Sequence, residues 1–226
     1  MEDTLKVIEV KRSIFENNDR DADRLREELK EKNVYLLNLM SSPGSGKTTL
    51  LLALAKALAG RVRMGVMEAD IDSAVDAKAM ADAGIRSIQI HTGGMCHLDA
   101  DMTRQGLYEF DFGDGTLDLI VLENVGNLVC PAEFDTGAVM NMTLLSVPEG
   151  DDKPLKYPLM YEKCGIMAVS KTDVLPYFDF DCEMAEQNAK LRNPDIEVFF
   201  LSAKTGEGVA ALADRIEELV NRWKEA

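Results

Sequence analysis

Apolar runs along the chain alternate with stretches of helical spacing. "VYLLNLM" (34–40) is continuously apolar, as a strand buried on both faces requires. A helical stretch follows from about Lys47 to Ala59 and is closed by Gly60. "RVRMGVMEA" reads as a second strand, followed by a helix from about Ser73 to near Gly84. "IRSIQIHT" is a third strand, with a helix from about Leu98, and "LDLIVLENV" is a fourth. "NMTLLSV", "GIMAVSK" and "IEVFFLS" supply three more, and "EGVAALADRIEELVNRWKE" closes the chain as an amphipathic helix. Ahead of the first strand, "DADRLREELKEK" has Leu25 and Leu29 at i, i+4, the spacing of one helix face. Strand–helix alternation of this kind predicts an α/β fold: a mostly parallel sheet of about seven strands with helices on both faces. Such sheets bind ligands at the C-terminal ends of their strands.

Composition narrows the class. Of 226 residues, 46% are hydrophobic and 29% charged, which suits a globular domain with a full core. No apolar run approaches the roughly 18 residues of a membrane span, and the N-terminus lacks the basic-then-apolar order of a secretory signal. A cytoplasmic protein with no membrane partner is expected. The net charge of −15 argues against nucleic acid as a ligand. Four Cys without tight pairing do not make a disulfide framework.

The first strand runs into "SSPGSGKTT" (41–49) and then a helix, the context that identifies a P-loop. Gly44 and Gly46 let the backbone curl so that successive N–H groups converge on phosphate oxygens. The helix adds its N-terminal partial charge. Gly44, Ser45, Gly46, Lys47, Thr48 and Thr49 are therefore expected to bind a nucleotide. Lys47 would meet the β and γ phosphates, and the Thr48 hydroxyl would meet Mg²⁺. Ser41 stands where the common pattern has its first Gly. "SKTD" (170–173) and "LSAKTG" (201–206) end two later strands and read as a guanine site. The Asp173 carboxylate would accept from guanine N1–H and the exocyclic amine, and Lys171 would lay its stem on the base. Ser202, Ala203 and Lys204 form the supporting segment. Adenine, mispaired against Asp173, should lose at least about 1.5–3 kcal/mol. Ser170 replaces the usual Asn; its shorter hydroxyl is expected to do part of that work, so Ser170→Asn should tighten GDP binding by about 1 kcal/mol.

"TGGMCHLDA" (92–100) and "LENVGNLVCP" (122–131) place Cys96, His97 and Cys130 after the third and fourth strands. A free Cys is most often a small buried hydrophobe, so these residues alone are ambiguous. Together with "SSPGSGKTTLL" and "SVPEGDDKPLKYPLMYEKCGIMAVSKTD" (146–173), however, they resemble the hydrogenase nickel-incorporation GTPases, the HypB family, from about residue 34 to the end. The resemblance implies a P-loop NTPase fold of the SIMIBI type. It implies a slow GTPase with GTP/GDP and Mg²⁺ as cofactors that assists nickel insertion into [NiFe]-hydrogenase. It also implies a nucleotide- and metal-linked homodimer whose partners are a hydrogenase maturation protein and the hydrogenase large subunit. The family's Ni²⁺ or Zn²⁺ ligands match Cys96, His97 and Cys130. Its Mg²⁺ and switch acids match Asp76 and Glu123, with Asp70 in the first switch region. Ala69 stands where relatives often have Gly. The N-terminal Cys-rich and His-rich nickel motifs of some relatives have no counterpart here. Thiolate and imidazole suit Ni²⁺ or Zn²⁺, and three ligands leave an open shell suited to transfer.

One domain over 1–226 is expected, with 1–33 a charged N-terminal arm or helix and 34–226 the nucleotide- and metal-binding core. Competing readings are a urease-type nickel GTPase, a P-loop small-molecule kinase and a metal-storage protein. Cys130-Pro131 favours the hydrogenase branch, the Arg-rich lid of a kinase is lacking, and two His with four Cys are few for storage. Cys164 and Cys182 are assigned to packing or surface, His91 to structure, and Trp223 to anchoring the last helix.

Overall fold

The computed structural model describes residues 10–70 and 80–226. Seven strands form one sheet: β1 (Tyr35–Ser41), β2 (Met64–Asp70), β3 (Arg86–His91), β4 (Leu119–Glu123), β5 (Met140–Ser146), β6 (Ile166–Ser170) and β7 (Glu197–Phe200). The helices are α1 (Val10–Glu31), α2 (Lys47–Leu58), α3 (Ala100–Glu109), α4 (Cys130–Glu133), α5 (Lys153–Lys156), α6 (Pro158–Glu162), α7 (Cys182–Arg192) and α8 (Val209–Glu225). Every pairing is parallel, in the order β3-β2-β4-β1-β5-β6-β7. All seven predicted strands form within a few residues of their expected ends. Of the helix expected from Ser73, residues 80–82 are helical and turn at Gly84, while 71–79 lie outside the described residues.

The winding sets the site. β1 lies between β4 and β5, and the chain leaves it toward β2 on one side and later returns to lay β5 on the other. The crevice beyond the end of β1 is thus a topological switch point, where parallel sheets take ligands. Alternate side chains of β1 feed opposite faces. Tyr35, Leu37 and Leu39 pack with Leu50, Leu54 and Leu58 of α2 and with Leu212, Ile216 and Val220 of α8. Leu36 joins Ile120, Leu122, Leu107, Leu25 and Leu29 on the other face. A third cluster under α6 and α7 gathers Met40, Leu145, Val169, Met160 and Tyr161.

The charged N-terminal segment is a packed helix over its described length. Ala22, Leu25 and Leu29 of α1 are fully buried. Each buried Leu contributes about 1.5–3 kcal/mol, enough to seat a helix whose other faces are charged. Trp223 of α8 is an anchor, as its solitary position suggested: its indole N–H donates to the Val34 carbonyl at 3.0 Å and its ring meets Tyr35 edge-on.

Asp118, one residue before β4, ties three elements. Its carboxylate accepts from Arg63 N (2.9 Å), Nε (2.8 Å) and Nη2 (2.6 Å), and from Lys224 Nζ of α8 (2.5 Å). The Arg63 hydrogen bonds, more than offsetting burial and helped by Lys224, hold its carboxyl well below the usual carboxylate range. Its side chain is 8% exposed, but Arg63 is 57% and Lys224 34% exposed, so removing the acid strands no deeply buried cation. Asp118→Ala should therefore cost about 1–3 kcal/mol, the range for charge-assisted bonds, rather than the larger penalty of a broken buried pair. A depressed carboxyl pKa stabilises above the unfolded value, roughly 4, and that contribution is lost as pH falls through the folded value. Urea denaturation should show the full gap between wild type and variant at pH 7 and a narrower one near pH 3; a gap that widens in acid contradicts this assignment.

Candidate nucleotide and metal site

The chain turns from β1 into α2 through residues 42–46. Gly44 (φ 74°) and Gly46 (φ 99°) adopt left-handed backbone, as the curl demands. Gly46 occupies the N-cap of α2 and offers no capping side chain, so the first N–H groups of the helix face the crevice uncapped. The departure at Ser41 has a structural use. Ser45 Oγ donates to Ser41 Oγ at 2.7 Å, and Ser41 Oγ donates to the Ser42 carbonyl at 2.9 Å; both serines are fully buried. Glu149, which sequence reading passed over, holds the loop from the β5 side. One carboxylate oxygen accepts from Ser42 Oγ and the other from Ser146 N (2.8 Å) and Oγ (2.7 Å). The S-x-x-E spacing of Ser146 and Glu149 was the available signal, since it marks a capping box.

Lys47 opens α2 with its Nζ 3.9 Å from Glu123 Oε1, and both side chains are largely buried. The pair brings together the P-loop cation and the acid at the end of β4. Thr48 is half-buried and Thr49 exposed. Asp70 ends β2, beside Glu123's strand; its side chain, like all of Asp76, lies outside the described residues.

Between the P-loop and the ends of β6 and β7 lies a cavity of about 390 Å³, lined by Ser45, Gly46, Thr49, Ser170, Lys171, Asp173, Val174, Ser202, Ala203 and Lys204. Among the described residues, larger hollows lie along the β3 edge beside α3, at the C-terminal end of α2, and next to this cavity across Thr49, Ala203 and Lys204. Ser170 is buried and its hydroxyl donates to the Ser45 carbonyl at 2.8 Å. Lys171, in left-handed backbone (φ 61°), donates from Nζ to the Gly44 carbonyl at 2.7 Å. Its Cε lies 3.7 Å from where a Cβ at Gly46 would stand, so the stem runs along the cavity wall. Asp173 accepts from Ser202 Oγ at 2.7 Å, and Ser202 Oγ accepts from Thr205 N at 3.2 Å. Lys204 is 83% exposed and only 4.0 Å from Asp173, a weak pairing.

The thiol cluster sits further along the same sheet edge. Gly93 and Gly94 take positive φ and Thr92 Oγ1 donates to the Met95 carbonyl at 2.7 Å. Helix α3 starts at Ala100, capped by Asp99 through Met102 N, slightly later than expected. Cys96 and His97 therefore stay in the preceding turn. Cys130 opens α4, and the neighbouring Cys96 thiol, together with burial, pushes its pKa up. Asn127 Oδ1 accepts from Val129 N at 2.8 Å. His97 Nδ1 is 3.9 Å from Cys96 Sγ, while its ring stacks on Phe134 with centroids 3.8 Å apart. Burial lowers the His97 pKa. The structure thus places Cys96, His97 and Cys130 on one sheet edge, with His97 beside Cys96. Among the described residues no three His, Cys, Asp or Glu side chains enclose an ion. Cys164 is fully buried and Cys182 begins α7. Among the described residues no helix is long and apolar enough to cross a membrane.

Comparison with known proteins agrees with this geometry. The family model for the CobW/HypB/UreG nucleotide-binding domain matches residues 35–200. The hydrogenase maturation factor HypB of Azotobacter vinelandii is 44% identical over 204 residues, covering 90% of this chain and 67% of that protein. The hydrogenase/urease maturation factor HypB of Helicobacter hepaticus is 41% identical, covering 94% of this chain and 88% of that protein. Among solved structures, Helicobacter pylori HypB in complex with nickel superposes with a TM-score of 0.85 at 36% identity, covering 91% of this chain and 96% of that one. With a P-loop at the end of the central strand and this degree of identity along about nine-tenths of its length, the chain belongs to the HypB family of P-loop GTPases.

Proposed function

We propose that the protein binds and hydrolyses GTP and uses that cycle to deliver nickel during [NiFe]-hydrogenase maturation. The observation that carries this reading is the placement of Cys96 and His97 after β3 and of Cys130 after β4, on the same sheet edge as the P-loop, with Cys130 seven residues beyond the acid that faces Lys47. The nickel named with the Helicobacter pylori structure supports that ion as cargo. Cys96 and Cys130 supply two soft ligands. His97 can join by leaving Phe134, and the rest of the shell is left to water or to a second copy of the chain in a homodimer. A cytoplasmic setting, a hydrogenase maturation partner and the hydrogenase large subunit complete the proposal.

Before nucleotide binds, Glu123 keeps the buried Lys47 ammonium from standing without a counter-charge. When GTP enters, Lys47 turns to the β and γ phosphates, while the uncapped N–H groups of α2 donate to phosphate oxygens. Thr48, Asp70, Asp76 and Glu123 would offer the hydroxyl and carboxylate oxygens that suit Mg²⁺. Bound there, that ion supplies charge neutralisation across the β and γ phosphates. Asp173, oriented by Ser202, selects guanine, and Lys171 covers the base. Asn127 follows Gly126, where a water-orienting Gln would stand, and its amide oxygen is engaged with Val129. Slow intrinsic turnover follows.

Turnover of GTP should exceed that of ATP, and Lys47→Ala should abolish it. Asp173→Asn should erode the guanine preference by roughly tenfold or more, the worth of one charged hydrogen bond. Equal use of ATP by the wild type would refute the guanine assignment.

Ser170 is already committed to the Ser45 carbonyl, which revises the expectation that an Asn there would tighten binding. Ser170→Ala should weaken GDP binding by about 1 kcal/mol, and calorimetry should find no gain for Ser170→Asn.

Nickel affinity should differ between GDP-bound and GTP-analogue-bound protein by roughly 5- to 150-fold, with the same factor appearing in nucleotide affinity when nickel is bound. Cys96→Ala and Cys130→Ala should each lose stoichiometric nickel in titrations. Nucleotide-independent affinity in the wild type would uncouple the two sites.

A further inference from the structure

We propose that Asn18 of α1 is a positioning residue for the Cys96–Cys130 pair, a clasp that sets the spacing of the two thiol-bearing loops; this rests on the reading of those thiols as nickel ligands. The need for a clasp follows from the sheet order. The Cys96 loop leaves β3 and the Cys130 segment leaves β4, and β2 lies between them. At about 4.8 Å per strand, the two loops start roughly 10 Å apart. Nothing in the ladder brings their thiols into contact.

Asn18 spans the gap. Its Oδ1 accepts from Ala100 N at 3.0 Å, four residues after Cys96, and its Nδ2 donates to the Asp135 carbonyl at 2.9 Å, five residues after Cys130. The first bond satisfies an orphan N–H in the first turn of α3, and the second takes a carbonyl just past the end of α4. One planar amide, with an acceptor at one end and donors at the other, fits both. Asn18 is 8% exposed, so water competes little for either bond. Neighbouring contacts hold the clasp to α1's frame. The Arg26 guanidinium pairs with the Asp135 carboxylate at 2.5 Å, and Arg104 of α3 donates to the Asp21 carbonyl at 2.9 Å. Phe15 lies 4.9 Å from Phe134, the ring on which His97 stacks. Helix α1 thereby touches both loops and the platform of the nearby imidazole.

Two measurements on the full chain test this. The first is nickel affinity by competition with a chromogenic chelator. The second needs no metal: equilibrium with glutathione, in which Cys96 and Cys130 join as a disulfide while one oxidised glutathione is reduced to two thiols. Asn18→Ala should weaken nickel binding by roughly 10- to 100-fold, as loss of a group orienting a metal ligand does. It should also shift the glutathione equilibrium toward the separate thiols. Asn18→Asp keeps the shape and the bond from Ala100 but loses the one to Asp135, so it should move both readouts the same way if the alanine variant fails to fold. Ala22→Gly, which weakens the same helix without touching the clasp, should leave both near wild type. In a Cys130→Ala background, Asn18→Ala should cost no further nickel affinity. Unchanged readouts in both Asn18 variants, or equal losses in Ala22→Gly, would overturn the clasp. If Cys96→Ala and Cys130→Ala bind nickel like wild type, the ligand reading fails instead, and the glutathione equilibrium still reports on Asn18.

Discussion

A loop that aims its N–H groups at a phosphate must turn carbonyls the other way, and those carbonyls need donors. Here two of them are met by residues from the end of β6: Ser170 donates to Ser45 and Lys171 to Gly44. Glu149, from the end of β5, takes the Ser42 hydroxyl. The phosphate cradle is thus braced by the segments that shape the base pocket. Residues that look separate in the chain are one hydrogen-bonded unit, so pocket and cradle are positioned together. The Ser170 bond is buried and is worth more than an exposed one because no water replaces it.

The same economy of placement governs the other half of the sheet edge. Glu123 faces Lys47, and a short segment beyond it reaches Cys130. A displacement of the segment after β4 would therefore move Cys130, which opens the helix that follows it. Coupling between nucleotide and cargo needs no long pathway in such an arrangement. It needs one short segment with two positions and a fixed counterpart. Helix α1 supplies the fixed side, seated by Leu25 and Leu29 and bonded to the loops through Asn18, Arg26 and Arg104.

Much of this was legible from local pattern. The apolar stretches located the seven strands; central ones such as β1 and β4 are buried along their whole length and so read as near-continuous runs, whereas the edge strand β3 carries polar residues between its isoleucines. The P-loop was recognisable because Gly44, Gly46 and Lys47 meet constraints of backbone and charge that few other residues satisfy. The approach of Cys96, His97 and Cys130 to one edge followed from their places after strands. What local pattern could not supply were the partners of side chains whose contacts lie far along the chain. Glu149 reads as a helix cap until Ser42 is seen beside it. Ser170 looks like a deficient Asn until its bond to Ser45 is known. Asn18 sits in a charged helix, more than 80 residues from Ala100 and more than 110 from Asp135. The chain alone thus determined the sheet, its ligand-bearing edge and the chemistry of the groups there, because periodicity and residue type are local properties. Only the tertiary structure decided which of those groups touch, that the imidazole of His97 rests on Phe134, and that α1 spans the two loops, because contact between distant segments depends on strand order and packing rather than on spacing along the chain.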